Sequence, residues 1–222
     1  MLTIIGTSHI SPESVKKVTK IIEEKKPDIV ALELDRKRLE ALIQGHKGGI
    51  ELSHIFKIGI KGWLFGNIGA LVERKLGEKT GIAPGTEMIE AYKTARKNNA
   101  KIELIDQDID ITLKKGSSIT WKEKWNLIKD IIAGVFGKAK KIDLAKVPEK
   151  RLIQTLIKEM KQKYPTLYRV LVQERNQYMA KKLAIIMKKN PNKHVLAVIG
   201  AGHEEDVSTQ AKEYLNKIDI AQ

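Results

Sequence analysis

The sequence predicts an α/β protein, with a central mixed or mostly parallel sheet that is flanked by helices. Short runs rich in β-branched residues alternate along the chain with longer segments whose apolar residues recur at helical spacing. The first and last of these runs each end at a glycine that is followed three residues later by a histidine. We expect the 222 residues to form one domain, 1–222, with a helical insertion at about 114–163, between the third and last strands.

The first strand is predicted at 2–5, and it leads through Gly6 to His9. Ser11 and Pro12 then have the residue types of a helix N-cap and first helical position, and the helix is expected to end before Pro27. A histidine just beyond a strand lies where open α/β sheets bind their ligands. His9 is therefore a candidate site residue.

The second strand is predicted at 28–34, and a helix is predicted at 37–44. Glu33 interrupts the apolar run near its carboxyl end. A buried carboxylate is costly unless it is paired or binds a cation. Two interpretations therefore stay open for Glu33: a cation-binding role, or an ion pair with the nearby Arg36 or Arg38.

Residues 51–76 are apolar and rich in glycine, and the spacing Gly62-x-x-x-Gly66 would let two helices approach closely. Charged residues interrupt the segment too often for a membrane-spanning helix. We expect it to form a homodimer or interdomain contact, with contact at a membrane surface as the second interpretation.

Two acidic residues follow in the third βα region. Glu87 lies at the start of a helix predicted to run to about Asn98, where an acidic residue usually compensates the helix dipole. A third strand is predicted at 101–105, and Asp106 follows it directly. Asp106, Asp108 and Asp110 alternate, but Ile111 stands where a calcium-binding loop needs glycine. We keep Asp106 as a candidate site residue at a strand end.

The insertion is lysine-rich, and helices are expected over 119–163. One helical stripe is predicted to pack against other helices, and it comprises Trp121, Trp125, Ile128, Ile132 and Phe136. Another helix follows Pro165, contains Glu174 and Arg175, and ends near Asn190. The last strand, 194–199, leads through Gly200 to His203.

The composition limits the chemistry. The net charge is +14 and there are no cysteines, which excludes a disulfide framework, a zinc ribbon and a thiol nucleophile. A metal would have to be held by His, Asp or Glu. The lysines are spread without interleaved aromatic residues or a nucleic-acid-binding motif, so we expect no nucleic-acid partner. We also expect no signal peptide and no helix that spans a bilayer.

Six motifs occur in a characteristic order, and together they resemble the TraB/PrgY family, which is related to the Tiki metalloproteases and to the erythromycin esterase and ChaN-like proteins. The motifs are Gly6-Thr-Ser-His9, Val30-Ala-Leu-Glu33-Leu-Asp35-x-x-Arg38, Gly85-Thr-Glu87-Met88-x-x-Ala91, Ile105-Asp106-x-Asp108-Ile109-x-Ile111-Thr112, Glu174-Arg175-Asn176-x-Tyr178-Met179 and Val198-Ile-Gly200-Ala-Gly-His203. The chain resembles an archaeal TraB-domain protein in particular. The resemblance implies a metal-dependent hydrolase, most simply a peptidase.

The resemblance also implies a set of site residues. The two histidines, His9 and His203, would bind a divalent manganese, cobalt or zinc ion together with an acidic residue, Glu33. Glu87 and Asp106 are further candidate carboxylates, and Glu33 or Glu87 would act as the general base. Arg175 or Arg36 would stabilise an oxyanion or orient a carboxylate. Which carboxylate is ligand and which is base stays open.

Two alternatives come from other classes of protein. One is a non-catalytic module that binds and sequesters peptides, of the pheromone-shutdown type. The other is a haem- or iron-binding module. Archaeal relatives commonly continue into a membrane-embedded C-terminal region, so the resemblance implies a cytoplasmic or membrane-associated protein, with a peptide or protein substrate.

Overall fold

The computed structural model describes residues 1–8, 11–45, 83, 85–116, 118–135 and 150–220. It contains the strands β1 (Leu2–Thr7), β2 (Ile29–Leu32), β3 (Lys101–Leu104) and β4 (Val195–Gly200). The helices are α1 (Pro12–Lys25), α2 (Arg36–Ile43), α3 (Thr86–Lys97), α4 (Ile109–Gly116), α5 (Trp121–Val135), α6 (Lys150–Lys163), α7 (Pro165–Tyr168), a π-helix (Arg169–Gln173), α8 (Glu174–Lys189) and α9 (Glu204–Ile220).

The four described strands form one parallel sheet in the order β1-β4-β2-β3. The last strand, β4, is inserted between β1 and β2. Thr7 pairs with Gly200, and Leu32 pairs with Val198, so the carboxyl ends of three strands lie side by side. In open α/β sheets, ligands bind at this edge. The topology therefore gathers the segments that follow β1, β2 and β4 at one place.

Helices cover both faces of the sheet. On one face, alternate residues of β2 and β4 pack with α8 and α9, in a cluster that includes Ala197, Leu183 and Val207. On the other face, the intervening strand residues pack with α1 and α3, in a cluster that includes Leu196 and Ile22. Both β2 and β4 are buried along their whole length, as expected for a parallel sheet with two covered faces.

Local sequence explains several helix ends. Pro12 begins α1, and Lys26, in the left-handed conformation, ends it: its backbone amide donates a hydrogen bond to the Ile22 carbonyl. Asp35 caps α2, because its side chain accepts a hydrogen bond from the Arg38 amide. At the start of α3, Gly85 has φ 83° and lies against Leu42, a conformation that favours glycine.

The structure confirms the α/β class, and it adds two helices that the sequence analysis did not predict. One is α4, whose start is fixed by Asp108: its side chain accepts the Asp110 amide proton at 2.8 Å. The other is α9, which begins directly after His203 with three acidic residues in its first turn. The signal for each was an acidic N-terminal turn ahead of spaced apolar residues.

The packing prediction for the tryptophan stripe is wrong at its first two positions. Trp121 is 74% exposed and Trp125 is 57% exposed. The face of α5 that packs is the opposite one, which carries the buried Glu123 and the partly buried Leu127. The predicted contact segment 51–76 lies outside the described residues. None of the helices described in the structure is long and apolar enough to cross a membrane.

Candidate active site

A buried polar cluster lies at the carboxyl edge of the sheet. Glu33 directly follows β2, Asp106 follows β3 by two residues, and His203 follows β4 by three. Arg175 reaches the same place from the first turn of α8. The cluster therefore joins residues that are far apart in sequence, and the parallel sheet accounts for their convergence.

Glu33 lies at the carboxyl end of β2, one of the two inner strands of the sheet. Its side chain is 2% exposed, and one carboxylate oxygen accepts a hydrogen bond from the Gly200 amide at the end of β4. The other oxygen, Oε1, accepts a hydrogen bond from Arg175. The amide of Glu33 donates to the Val198 carbonyl, which continues the β2–β4 pairing for one more residue. Backbone and side chain thus hold this carboxylate in one orientation.

Arg175 binds two carboxylates with one guanidinium group. Its Nε donates to Asp106 Oδ1 at 3.0 Å and its Nη2 to Asp106 Oδ2 at 2.8 Å, while Nη2 also donates to Glu33. Burial lowers the pKa of Arg175, but the charges of Glu33 and Asp106 outweigh burial and raise it. The guanidinium therefore remains charged, and it compensates the two carboxylates in a site that excludes most water.

A π-helix precedes Arg175 and contributes to its position. In the segment Arg169–Gln173, the amide of Glu174 bonds to the Arg169 carbonyl, five residues back. Arg175 Nη1 donates to the Leu171 carbonyl at 3.2 Å. π-Helical turns occur frequently at functional sites, because the wider turn leaves carbonyl groups for other donors. Here the side chain of Arg175 uses one of them.

A second guanidinium completes the charge balance. Arg38 Nη1 donates to Asp106 Oδ2 at 3.2 Å. Two carboxylates, Glu33 and Asp106, are therefore held by two guanidinium groups. Asp35 lies nearby as the cap of α2, and burial raises the pKa of its carboxyl group, although the bond from the Arg38 amide opposes this.

His203 is fixed by a short chain of hydrogen bonds. It is 8% exposed, and its Nδ1 lies 2.5 Å from Asn176 Oδ1, while Asn176 Nδ2 donates to Asp206 Oδ2 at 3.0 Å. An amide oxygen can only accept, so Nδ1 carries a proton, and in the neutral imidazole Nε2 then keeps the lone pair. That nitrogen faces Glu33 Oε1 at 3.5 Å and Arg175 Nη1 at 3.4 Å.

Glu204 lies on the other side of the same turn. A Cβ atom placed on Gly6 would clash with Glu204 Oε2 and come within 3.1 Å of Ala201 Cα. The Glu204 carboxylate therefore rests against the backbone of β1, close to where the first Gly-x-x-His motif begins. A side chain at position 6 would displace it, which gives a physical reason for glycine there.

The structure brings together four of the predicted site residues, Glu33, Asp106, Arg175 and His203. Glu87 is 1% exposed in the first turn of α3, a helix that packs on β2 and β3. Arg36 is not part of the cluster: its side chain is 87% exposed and pairs with Glu40 at 3.8 Å. His9 lies outside the described residues.

Three contributors were not assigned a site role from the sequence. Asn176 sets the histidine tautomer, Arg38 binds Asp106, and Glu204 lies against Gly6. Asn176 follows Arg175 directly, so the Glu-Arg-Asn motif carried a signal for it. Arg38 was considered only as a partner of Glu33. Glu204 had no sequence signal beyond its place after His203.

The described donor atoms match part of a metal site. Two ligands of one tetrahedral zinc ion, at the usual bond lengths, lie about 3.4 Å apart. His203 Nε2 and Glu33 Oε1 are separated by 3.5 Å, and a histidine whose other nitrogen is held by an oxygen acceptor is the usual arrangement for a ligand. Within the described ranges, however, no group of three His, Asp or Glu residues could hold an ion. These two donor atoms have the spacing of metal ligands, but both also contact the Arg175 guanidinium, and an ion would need at least one further ligand.

The fold and the buried polar cluster together define an α/β protein with a histidine–carboxylate site at the carboxyl edge of its sheet, in which arginines compensate the carboxylate charges. The sequence matches the TraB/PrgY/gumN family over residues 1–207, and the chain belongs to that family.

Relatives come from archaea and mammals. An uncharacterized protein of Methanocaldococcus jannaschii, MJ1365, is 37% identical over 225 residues, which cover 98% of this chain and 55% of that protein. A TraB domain-containing protein of Bos taurus is 28% identical over 226 residues, covering 90% of this chain and 59% of that protein. A TraB domain-containing protein of Homo sapiens is 28% identical over 244 residues, which cover 96% of this chain and 63% of that protein. The chain therefore spans little more than half the length of these relatives.

Proposed function

We propose that this TraB-family chain is a metal-dependent hydrolase, and that its reaction is the cleavage of peptide bonds. The observation that carries the proposal is the pair His203 Nε2 and Glu33 Oε1, which face each other at 3.5 Å beside the end of β4. The choice of a peptide substrate follows from the resemblance of the ordered motifs to the Tiki metalloproteases.

In this proposal His203, Glu33 and the sequence-predicted His9 hold a manganese, cobalt or zinc ion. The ion would polarise the scissile carbonyl and lower the pKa of a bound water. Asn176 keeps the proton of His203 on Nδ1, which leaves Nε2 as the donor atom. Arg175 donates hydrogen bonds to Glu33 and Asp106 and orients them in a site where carboxylates alone would repel each other.

A peptide-binding module without turnover is the second candidate. The observation in its favour is the charge balance: Arg175 and Arg38 already compensate the two carboxylates without a metal. A site of this kind would keep its shape in the absence of an ion, as a binding pocket requires.

Metal binding and cleavage separate the two candidates. The protein, stripped with EDTA, is titrated with manganese, cobalt or zinc, and the melting temperature is followed together with cleavage of a peptide library. We expect a metal-dependent rise in melting temperature and metal-dependent cleavage, both reduced in His203→Ala. Arg36→Ala is the matched control, because Arg36 is exposed and lies outside the cluster.

The outcomes differ for the two functions. Cleavage that requires metal and His203 supports the hydrolase. A peptide that binds the wild type without being cleaved, with equal affinity in EDTA and in metal, would leave the binding module as the function.

A further inference from the structure

Two indole side chains project from the surface of the helical insertion. Trp121 and Trp125 lie one turn apart in α5 and are 74% and 57% exposed. The exposed Lys129 continues the same stripe, and Lys122 flanks it. Lys124 Nζ lies 5.6 Å from the centre of the Trp121 ring. The stripe thus combines two large apolar rings with nearby ammonium groups.

The inner face of α5 fixes this orientation. Glu123 is 4% exposed, and its carboxylate oxygens accept hydrogen bonds from the amides of Thr166 at 2.7 Å and Thr120 at 3.3 Å. Leu127 packs against the cluster of Ile119, Tyr164 and Leu167. Since Glu123 and Leu127 lie on the side of α5 opposite the indoles, the first turns of the helix hold both rings outward.

Much of the positive charge of the chain lies in the same part of the sequence. Residues 114–163 contain 14 Lys and Arg and five Asp and Glu, a net charge of +9 out of +14 for the chain. Thirteen of these 14 basic residues are lysine. A surface of this charge attracts an anionic partner and repels a cationic one.

We propose that this surface, formed by Trp121, Trp125, Lys122 and Lys129, docks the protein on an anionic lipid bilayer. Indole rings favour the boundary between headgroups and acyl chains, and helices with lysine beside large apolar side chains lie in that plane. Lysines near an anionic leaflet add electrostatic attraction that decays within a Debye length. The indoles supply the apolar contact, and the exposed Lys122 and Lys129 supply the attraction.

Other occupants fit the surface less well. A second copy of the chain would bring two segments of charge +9 together, which is repulsive. Nucleic acids are usually recognised with arginine, whose planar fork binds phosphate through two hydrogen bonds, whereas this segment has one arginine. A diffuse anionic surface needs only point charges, which lysine provides.

The test uses the full chain with Trp63→Phe, so that the α5 indoles are the only tryptophan reporters. Vesicles contain phosphatidylcholine alone, or phosphatidylcholine and phosphatidylglycerol in equal parts. We expect co-sedimentation and a blue shift of tryptophan emission with the mixed vesicles, weakening as salt is added. Neutral vesicles should give neither. Trp121→Ser with Trp125→Ser should abolish sedimentation, and circular dichroism should show an unchanged fold.

A pair of charge reversals tests the position of the surface. Lys122→Glu with Lys129→Glu should weaken binding to the mixed vesicles by about 30-fold or more. Lys16→Glu with Lys17→Glu changes the net charge equally on α1, at two exposed positions, and should have a much smaller effect.

Three results would overturn the proposal. The first is equal weakening by the two charge-reversal pairs, and the second is binding that survives loss of both indoles. The third is tight binding of single-stranded RNA that depends on the indoles, with no binding to the mixed vesicles.

Discussion

Arg175 links residues that follow two different strands, Glu33 after β2 and Asp106 after β3. Its side chain is 14% exposed, and the two carboxylates are 2% and 3% exposed. Charges buried to this degree are tolerated because each has a partner with hydrogen-bond geometry. Arg175 is therefore the main cation at this edge of the sheet, with Arg38 as a second partner of Asp106.

Arg175→Met should lower the free energy of unfolding by about 3–5 kcal/mol, since it leaves buried carboxylates without their main cation. Arg175→Lys should lose less, because it keeps the charge but cannot form the two-pronged contact with Asp106. Urea unfolding measures both. Arg36→Met is the control and should change stability by less than about 0.5 kcal/mol, because its side chain is exposed. Equal losses at positions 36 and 175 would contradict this account.

At the scale of elements, Asp28 ties together the amino ends of β2 and β4. Its carboxylate accepts hydrogen bonds from Lys193 Nζ at 2.8 Å and from the His194 amide at 2.7 Å. The bond from Lys193 has the largest effect on the pKa of Asp28, and the bond from His194 the next largest. Together they lower this pKa below its ordinary value of 3.8, against a smaller opposing effect of burial.

The lowered pKa sets the sign of a pH effect. The folded state holds the ionised form more strongly than the unfolded state does, so Asp28 adds stability above its ordinary pKa, and this is lost as pH falls through the lowered value. Asp28→Asn should be less stable than wild type near neutral pH, and the difference should shrink below about pH 4. Urea unfolding across this range measures it. A difference that grew on acidification would show that the charge of Asp28 opposes folding.

The turn after β4 packs on β1 through Glu204 and Gly6. Gly6→Ala should destabilise the protein by about 1–3 kcal/mol, because the new methyl group meets Glu204 Oε2 and the Ala201 backbone. In the Glu204→Ala background the cost should fall by about 0.5 kcal/mol or more, since one of the two contacts is removed. Glu204→Gln keeps the length of the side chain and should give no such relief. Equal costs in all three backgrounds would mean that Ala201 alone constrains position 6.

At the scale of the whole molecule, the carboxyl edge was predictable because a strand's end can be recognised from its sequence. Glu33 was placed near the carboxyl end of a predicted strand, and Asp106 and His203 were placed after one. A mostly parallel sheet puts such residues at one edge. Arg175 was predicted from its sequence motif and not from a place after a strand. The π-helix that precedes it has no periodic signal of its own, so the contacts of Arg175 could not be predicted.

The orientation of α5 could not be predicted from its own sequence. Both faces of the helix carry apolar residues, so periodicity permits either to pack. Glu123 determines which face of α5 packs inward. Its carboxylate accepts hydrogen bonds from the Thr120 and Thr166 amides, and these bonds require the face that carries Leu127 to turn inward. Residue 166 is 43 positions from Glu123, a separation that local patterns do not encode.

A homodimer through residues 51–76 remains a prediction from the sequence. Each chain carries a net charge of +14, so two copies repel each other while their apolar segments attract. Added salt screens the repulsion, with a Debye length of about 10 Å at moderate ionic strength, and leaves apolar contact intact. Light scattering should therefore show the dimer strengthening with salt, the opposite of what we expect for vesicle binding. Gly62→Leu with Gly66→Leu should weaken the dimer by blocking close helix approach, and Trp121→Ser should not. A monomer at every salt concentration, or a dimer lost with Trp121, would show that 51–76 is not the contact.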